Sequence, residues 1–323
     1  MLALETVTAR GMTQLIFNRR ALPAAARVSH WLAPDGWRYR RMHWPQEKTG
    51  AARGSLLFAG GRGDFIEKYL EAQHHWHEAG WDVTAFDWRS QGGSRGTIEG
   101  GHLDSLDPLV DDLEALIADW KAATPAPHVV VGHSMGGHVL LRTLAERRPE
   151  LAAAVLIAPM VMINTAPLPV WAAAATAQSM AGLGWGRVPA WRDGADPAPP
   201  GSSRQNFLTR CPERYADEQY WWNREPGFSL GPPSWGWLHA AYRSCAELTD
   251  ARLAGIAVPV LFIATETDRL VSAEAIRRAH KAIPETNLLM FPDAGHEILR
   301  EQDPVRLQAL GRIDGFLDRH AAR

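Results

Sequence analysis

The sequence places a serine between two glycines directly after an apolar run. The segment Gly132-His133-Ser134-Met135-Gly136 follows Val129-Val130-Val131 and precedes a helical pattern that continues to Arg148. Between a strand and a helix, a Gly-x-Ser-x-Gly segment holds the serine on a sharp, strained turn where a substrate can reach its hydroxyl. The alternative is a small polar residue that only caps a helix. The strand and helix patterns on either side favour a nucleophile.

Such a serine needs a base to take its proton and an acid to orient the base, and after this type of turn the acid precedes the histidine in the chain. Asp268 lies just beyond the apolar run 260–264. Sites in open α/β sheets form at the carboxyl ends of the strands, so the acid should lie here. Asp268 is preferred because it leads into Arg269-Leu270-Val271 at the edge of the loop. Glu266 and, more weakly, Asp293 are the alternatives.

His296 is the predicted base. Of the thirteen histidines, it is the one late in the chain that stands in a short glycine-containing loop after an apolar run, 288–291. His280 falls in a predicted helix, and His320 falls in the terminal segment. Ser134, Asp268 and His296 should therefore meet at one edge of a sheet.

His74, His75 and His77 resemble a metal-binding group at first sight. Positions 75 and 77 face different sides of the predicted helix, however, and no carboxylate or cysteine completes a ligand set. We therefore expect no metal and no other cofactor.

The oxyanion that forms during acyl transfer needs two backbone N–H donors. One should be the amide of Met135, the residue after the serine. The other should come from the loop Gly60–Asp64, which follows the apolar run 55–59. A glycine cluster of this kind also occurs in phosphate-binding loops, but the Gly-Lys-Ser/Thr ending of such loops is missing here.

The elements that must position these residues follow a regular rhythm. Short apolar runs alternate with longer helical patterns, which predicts an α/β fold with a mostly parallel central sheet and helices on both faces. Strands are predicted at 55–59, 82–87, 128–131, 153–158, 258–264 and 287–291, and helices at 66–79, 106–122, 135–148, 273–282 and 304–319. A hairpin, 28–31 and 37–44 around Asp35-Gly36, should add an antiparallel edge.

Residues 160–250 interrupt this rhythm with many prolines and seven of the fourteen tryptophans. We therefore predict a core at 1–159 and 251–323 and an inserted helical cap, rich in Trp and Pro, at 160–250. Large aromatic side chains suit an apolar acyl pocket. Trp171, Trp185, Trp221 and Trp222 are the candidate substrate-binding residues, although some of the tryptophans should only pack the cap together.

Composition limits the possible partners. With 34 basic and 36 acidic residues among 323, the chain has no general attraction for nucleic acid. An export signal is not evident, and no run of about 20 apolar residues could span a bilayer, so we expect a cytoplasmic protein with free thiols at Cys211 and Cys245. Residues 9–28 are basic and acid-free, which is typical of a segment in peripheral contact with the inner membrane face or of a transit-like peptide. An arm packed on the body is nevertheless the preferred interpretation. The oligomeric state stays open.

Taken together, several segments resemble the bacterial lysophospholipase and monoacylglycerol lipase branch of the α/β-hydrolases, from about residue 28 to 318. The similarity is strong over the core and weak over the cap. The segments are Gly60-Gly61-Arg62 with Glu67-Lys68-Tyr69, then Phe86 to Ser94, Gly132 to Gly137, Thr267 to Val271 and Gly295-His296-Glu297. In that family the third position of the oxyanion loop donates its amide, and this position is Arg62 here. Gly60 replaces the usual histidine.

The resemblance implies an α/β-hydrolase fold and a serine hydrolase that forms an acyl-enzyme. It also implies a small-molecule substrate, an ester with one long acyl chain such as a lysophospholipid or a monoacylglycerol. An aminopeptidase-like serine hydrolase is the closest alternative, with an acidic anchor drawn from the cap residues Glu213, Asp217, Glu218 and Glu225. A binding relative without catalysis is the other.

Overall fold

The computed structural model describes residues 6–7, 13–14, 17–46, 52–96, 99–191 and 201–322. Its strands are β1 (Thr6–Val7), β2 (Thr13–Gln14), β3 (Arg27–Leu32), β4 (Arg38–Trp44), β5 (Gly54–Ala59), β6 (Trp81–Phe86), β7 (His128–His133), β8 (Ala153–Ile157), β9 (Val260–Thr265) and β10 (Thr286–Phe291). Its α-helices are α1 (Leu70–Glu78), α2 (Asp107–Ala123), α3 (Met135–Glu146), α4 (Val170–Met180), α5 (Ser203–Leu208), α6 (Pro212–Arg224), α7 (Trp235–Ala246), α8 (Asp250–Leu253), α9 (Ala273–Ala282) and α10 (Asp303–His320).

Eight of these strands form one sheet in the order β10-β9-β8-β7-β5-β6-β4-β3. The pairs from β6 through β5, β7, β8 and β9 to β10 are parallel, whereas β4 runs antiparallel to both β3 and β6. The predicted α/β-hydrolase sheet and its antiparallel edge are therefore confirmed. The predicted boundaries were close, with shifts of one or two residues at most ends.

The central strands are buried on both sides because helices cover both faces of the sheet. Successive side chains of a strand point to opposite faces, so Val130 enters one hydrophobic core and its neighbours Val129 and Val131 enter the other. This pattern explains why the strand before Ser134 is a continuous apolar run rather than an alternating one. Packing on both faces of the sheet holds the end of β7, which leads into Ser134, in place.

The predicted cap corresponds to helices α4 to α7, which lie between β8 and β9. These two strands are neighbours in the sheet, with Ala154 paired to Val260. Because the two strands are parallel, the chain leaves the sheet at the carboxyl end of β8 and re-enters it at the opposite edge, where β9 begins. The cap therefore starts at the edge where the parallel strands end. The boundaries at 160 and 250 remain a prediction.

The first described residues after the β1–β2 pair pack on the body. Phe17 stacks on His74 with ring centroids 4.2 Å apart, and Arg19 and Arg20 both donate to the carboxylate of Asp217, at 2.5 and 2.6 Å. This part of segment 9–28 thus behaves as an arm against the cap. Residues 8–12 and 15–16 lie outside the described part of the chain.

The histidines of α1 have separate partners. His75 contacts Asp314 at 2.8 Å, while His77 stacks on Trp44 at 4.2 Å, and among the described residues no group of His, Cys, Asp and Glu is arranged to hold a metal. Cys211 and Cys245 are buried free thiols, as expected. None of the helices in the described ranges has the length and apolarity needed to cross a membrane.

Candidate active site

Ser134 occupies the sharp turn between β7 and α3, and its backbone is strained. Its φ of +51° and ψ of −116° lie in a region that side-chain-bearing residues rarely adopt, at a cost of about 1–3 kcal/mol. The surrounding backbone holds this conformation. The Ser134 N–H donates to the Ile157 carbonyl at 2.9 Å, and the Ser134 carbonyl accepts from the amides of His138 and Met160, each at 3.0 Å.

The start of α3 lies very close to the end of β5. A Cβ atom on Gly136 would stand 2.3 Å from the carbonyl oxygens of both Ala59 and Gly60, so only glycine fits at this position. The close approach brings Ser134 next to the loop that follows β5. A Cβ on Gly132 would likewise stand 2.8 Å from Cα of Gly137, so packing requires both glycines of the Gly-x-Ser-x-Gly segment.

The structure brings Ser134, His296 and Asp268 into one hydrogen-bonded chain. The Oγ of Ser134 lies 2.9 Å from Nε2 of His296, and Nδ1 of His296 lies 2.8 Å from Oδ2 of Asp268. The three residues follow β7, β10 and β9, respectively, and lie at the same edge of the sheet. Because the carboxylate can only accept, Nδ1 carries the proton and Nε2 is free to accept from the serine hydroxyl.

The surroundings of the three candidate acids separate them. The second carboxylate oxygen of Asp268 accepts from the amides of Leu270 and Val271, at 2.8 and 3.0 Å, which fixes its orientation toward His296. The alternatives face away, since Glu266 pairs with Arg277 and Asp293 with Arg210. The preference for Asp268 from its place in the sequence agrees with this geometry.

His296 is buried, and its environment makes it a stronger base than an ordinary histidine. Burial by itself disfavours the charged ring, but the Asp268 carboxylate and, more weakly, Glu297 and Asp64 outweigh it and raise the pKa of His296 above the usual value. The pKa of Asp268 is lowered in turn, because the attraction of His296 and its hydrogen bond outweigh the effect of burial. A raised histidine pKa favours proton uptake from a hydroxyl.

The loop after β5 is folded around the carboxylate of Asp64. Its Oδ2 accepts from the Gly61 amide at 2.6 Å and lies 2.9 Å from Nδ1 of His133. A Cβ on Gly61 would lie 3.0 Å from that oxygen and 3.0 Å from Cβ of Ser134. The loop therefore packs directly against the nucleophile turn.

The two predicted oxyanion donors belong to the two segments that pack together at Ser134, the start of α3 and the loop after β5. Met135 begins α3, so its N–H is one of the helix-terminal donors that have no carbonyl four residues earlier in the helix. Arg62 stands between Gly61 and Gly63, and the amide of Gly63 donates to the Gln91 side chain at 2.6 Å. The Arg62 guanidinium extends into the cap and donates to the Gly231 carbonyl at 3.0 Å. The donor roles of Met135 and Arg62 remain predictions.

A cavity of about 560 Å³ opens beside Ser134 and His296, which is within the range of small-molecule sites. Apolar side chains from the core and the cap form most of its wall: Met135, Met160, Ile163, Leu208, Leu230, Trp237, Leu238 and Val271. Asp64, Lys68, His133 and Glu297 form a polar region beside the catalytic edge. The site thus combines an apolar chamber with a small charged wall.

The structure places one of the four candidate tryptophans in the cavity wall and the other three outside it. Trp222 lines the cavity as expected. Trp171 and Trp185 lie outside its wall, 74% and 52% exposed, and Trp221 is buried with its Nε1 donating to the Arg19 carbonyl at 3.2 Å. The lining tryptophans that the prediction omitted are Trp191 and Trp237. Density of tryptophan along the chain cannot show which face of a helix meets the cavity.

Sequence reasoning also missed three charged residues around the site, Asp64, Lys68 and Glu297. Asp64 and Lys68 are four residues apart on the loop and the short 3-10 helix Ile66–Tyr69, a spacing that permits an ion pair. Glu297 follows the base directly. Their burial, which makes them informative, is visible only in the structure.

Comparisons with known proteins agree with this geometry. A family model described as serine aminopeptidase, S33, matches residues 50–303. The chain is similar to a probable lysophospholipase L2 of Haemophilus influenzae, 27% identical over 87% of this chain and 88% of the relative. It is also similar to a monoacylglycerol lipase of Mycolicibacterium smegmatis, 26% identical over 78% and 84%. The structure of a soluble variant of a Saccharomyces cerevisiae monoglyceride lipase aligns over 94% of this chain and 99% of its own, with a TM-score of 0.74 at 18% identity.

Proposed function

The chain belongs to the serine aminopeptidase, S33, family, and from this membership we propose that it hydrolyses carboxylic esters at Ser134. It is a carboxylic ester hydrolase of the kind that its lysophospholipase and monoacylglycerol lipase relatives represent. The observation that carries the assignment of residues is the continuous hydrogen-bonded chain from Ser134 through His296 to Asp268.

In the proposed reaction, His296 Nε2 takes the hydroxyl proton as the Ser134 oxygen attacks the ester carbonyl. The negative charge that develops on the carbonyl oxygen is stabilised by the amides of Met135 and Arg62. His296 then gives its proton to the leaving alcohol, which leaves an acyl group on Ser134. A water molecule, deprotonated by the same histidine, releases the acid.

The family description includes peptidases, and the charges of the cavity weigh against that activity. An aminopeptidase needs a carboxylate that receives the charged amino group of its substrate. Among the described lining residues, Asp64 and Glu297 are both bonded to Lys68, and in the cap Asp217 already holds two arginines. These carboxylates are committed to cations of the protein itself, which favours an uncharged ester.

The apolar chamber favours an ester with a long acyl chain, and a lysophospholipid or a monoacylglycerol is the proposed substrate class. Each methylene that enters the chamber should contribute up to about 0.8 kcal/mol. We expect kcat/KM to rise from acetyl to at least octanoyl p-nitrophenyl esters, by up to about fourfold per methylene, and amino-acid anilides to be poor substrates. Rates that peak at acetyl, or anilides cleaved faster than every ester, would reject this substrate class.

A pair of tryptophan variants provides the matched control for this experiment. Trp222→Ala removes a side chain from the cavity wall and should flatten the dependence on chain length. Trp171→Ala removes a side chain of the same type that lies outside the wall, and it should leave that dependence unchanged.

We also propose that the protein stays in the cytoplasm and touches the inner membrane face through its cap. Of the twelve large hydrophobic side chains exposed in the described residues, seven belong to residues 168–191, here called the outer cap segment. Arg187 is the single charged residue of that segment. Its last residue, Trp191, is half-exposed and also lines the cavity, so a lipid that enters the site from a membrane would pass along apolar surface.

This contact can be measured by flotation with vesicles of phosphatidylcholine and phosphatidylglycerol. Exchange of Trp171, Leu183 and Trp185 for serine should remove most of the bound fraction, because each side chain buried in lipid stabilises binding by about 1.5–3 kcal/mol. Turnover of a short soluble ester should not change. The matched control replaces Leu32 and Leu307, which are 64% and 55% exposed on the core. Equal losses for both variants would contradict a specific role of the cap.

A further inference from the structure

The ammonium group of Lys68 joins three parts of the molecule that meet around the candidate active site. Its side chain is 3% exposed and contacts Asp64 at 2.7 Å, Glu218 at 3.0 Å and Glu297 at 2.6 Å. Asp64 belongs to the loop after β5, Glu218 to cap helix α6, and Glu297 to the loop of the base. A lysine has three N–H donors and no acceptor, so all three donors are committed and none remains to bind a substrate.

Each of these carboxylates supports a group that the proposed reaction needs. Asp64 accepts from the Gly61 amide at 2.6 Å and so sets the orientation of the peptide next to Arg62. Glu297 follows His296 in the chain, and Arg300 binds it from the other side. Glu218 lies wholly buried on α6 and, through Lys68, links the cap to Asp64 and Glu297. These four side chains are here called the Lys68 cluster.

The loop of the base is also attached to the cap through its backbone. The amides of His296 and Glu297 donate to the carbonyls of Phe207 and Leu208, at 3.0 and 2.7 Å. The part of the cap that contains α5 and α6 is therefore a support of the base rather than a separate lid. Lys68, which follows the oxyanion loop, forms ion pairs with both of these parts through Glu218 and Glu297.

We propose that Lys68 is a positioning residue that sets the oxyanion loop, the His296 loop and the α5–α6 part of the cap in one catalytically competent arrangement. It acts through Asp64 and Glu297 and does not touch the reacting atoms. The proposal rests on the proposed function, because it assumes that Ser134 is activated by His296.

The charges of the Lys68 cluster also determine how removal of Lys68 should change the pKa of His296. Charged and titratable groups surround His296 on every element packed against it, and they include Arg62, Asp64, Lys68, Tyr69, His133, Arg204, Glu218, Asp268, Arg269, Glu297, Arg300 and Glu301. Asp64 and Glu297 both raise the pKa of His296, and Lys68 is their shared counter-ion. Without that positive charge, the imidazolium form is stabilised further, so the pKa of His296 rises and activity is lost at a higher pH.

The test uses Lys68→Met, which keeps the unbranched shape and most of the length of the side chain and removes its charge. The readout is the rate of covalent modification of Ser134 by a fluorophosphonate as a function of pH, since this rate depends on the base and not on acyl specificity. We expect a rate about 100-fold below that of the wild type, the loss that a misplacement of about 1 Å produces. The acid limb of the profile should move to higher pH.

Arg142→Met is the matched control. Arg142 is also a buried cation, held by Asp107 and Glu146, but it has no contact with the cluster. Its removal should lower the melting temperature and leave the acid limb in place. A purely structural role of Lys68 would give the same result as this control. Modification of Lys68→Met within threefold of the wild-type rate, with an unmoved acid limb, would overturn the proposal.

Glu297→Gln covers the case in which Lys68→Met does not fold. It preserves the shape of the side chain and removes one negative charge beside His296, so the acid limb should move to lower pH, opposite to Lys68→Met, while the modification rate falls. An unmoved acid limb in this variant would also reject the proposal.

If the wild type is modified at Ser134 but cleaves none of the esters, the proposed substrate fails and the Lys68 comparison is unaffected. If Ser134 resists modification, the proposed mechanism fails, and NMR titration of His296 in the same variants decides on Lys68.

Discussion

Replacement of Ser134 by alanine should reduce ester turnover by about 10⁴-fold or more, the largest effect that we expect from a single change. The reason is that neither His296 nor the backbone amides of Met135 and Arg62 can form the acyl-enzyme. Binding of the substrate should survive, because the apolar wall of the cavity is unchanged. Steady-state kinetics with an octanoyl ester, together with a binding measurement on the inactive variant, would check both expectations.

The control for Ser134→Ala is a measurement of its thermal stability, which reports whether the fold is intact. Ser134→Ala keeps the strained backbone turn and loses one hydroxyl hydrogen bond, so its melting temperature should stay close to that of the wild type. Mass spectrometry after treatment with a fluorophosphonate should find the label on Ser134 of the wild type and none on the variant. If more than a few per cent of the wild-type rate remained, another residue would carry the chemistry.

Replacement of Asp268 by asparagine should reduce kcat by about 10⁴-fold through the wrong tautomer of His296. One oxygen of Asp268 accepts from the amides of Leu270 and Val271. In the variant the amide oxygen must stay there, which turns the NH₂ group toward Nδ1 of the histidine. Nδ1 then has to accept, the ring proton moves to Nε2, and Nε2 can no longer take the proton of Ser134.

Glu266→Gln is the matched control, since Glu266 was the next candidate for the acid and pairs with Arg277 at the surface. Its kcat should stay within about twofold of the wild type. The experiment compares the two variants on the same ester over a range of pH. A larger loss in Glu266→Gln than in Asp268→Asn would mean that the acid has been assigned to the wrong residue.

Local sequence patterns sufficed for the sheet and for the turn that carries Ser134. When helices cover both faces of a sheet, its strands must be apolar on both faces. Continuous apolar runs such as 128–131 and 258–264 can therefore be recognised from the local sequence alone. The glycines around Ser134 are equally informative, because only glycine fits at position 136, where α3 meets the backbone at the end of β5. Constraints of this kind act between a residue and its immediate surroundings, and they leave a mark on the local sequence.

The cap was predictable as an insertion but not in its details. Seven tryptophans in residues 160–250 indicated apolar surface. Four of them were candidates for the cavity wall, and the sequence offered no means to choose among these four. The structure gives Trp222 that position, exposes Trp171 and Trp185, and buries Trp221 against the arm. Which face of a cap helix meets the core depends on contacts between segments far apart in the chain.

The sequence by itself determined the fold class, the nucleophile turn and the order of Ser134, Asp268 and His296, because each depends on a local pattern or on the end of a strand. The tertiary structure decided which acid faces the histidine and which tryptophans line the cavity. It alone brought Asp64, Glu218 and Glu297 onto Lys68. These residues are up to 233 positions apart in the chain, and the cost of burying their charges is offset only when all of them are assembled.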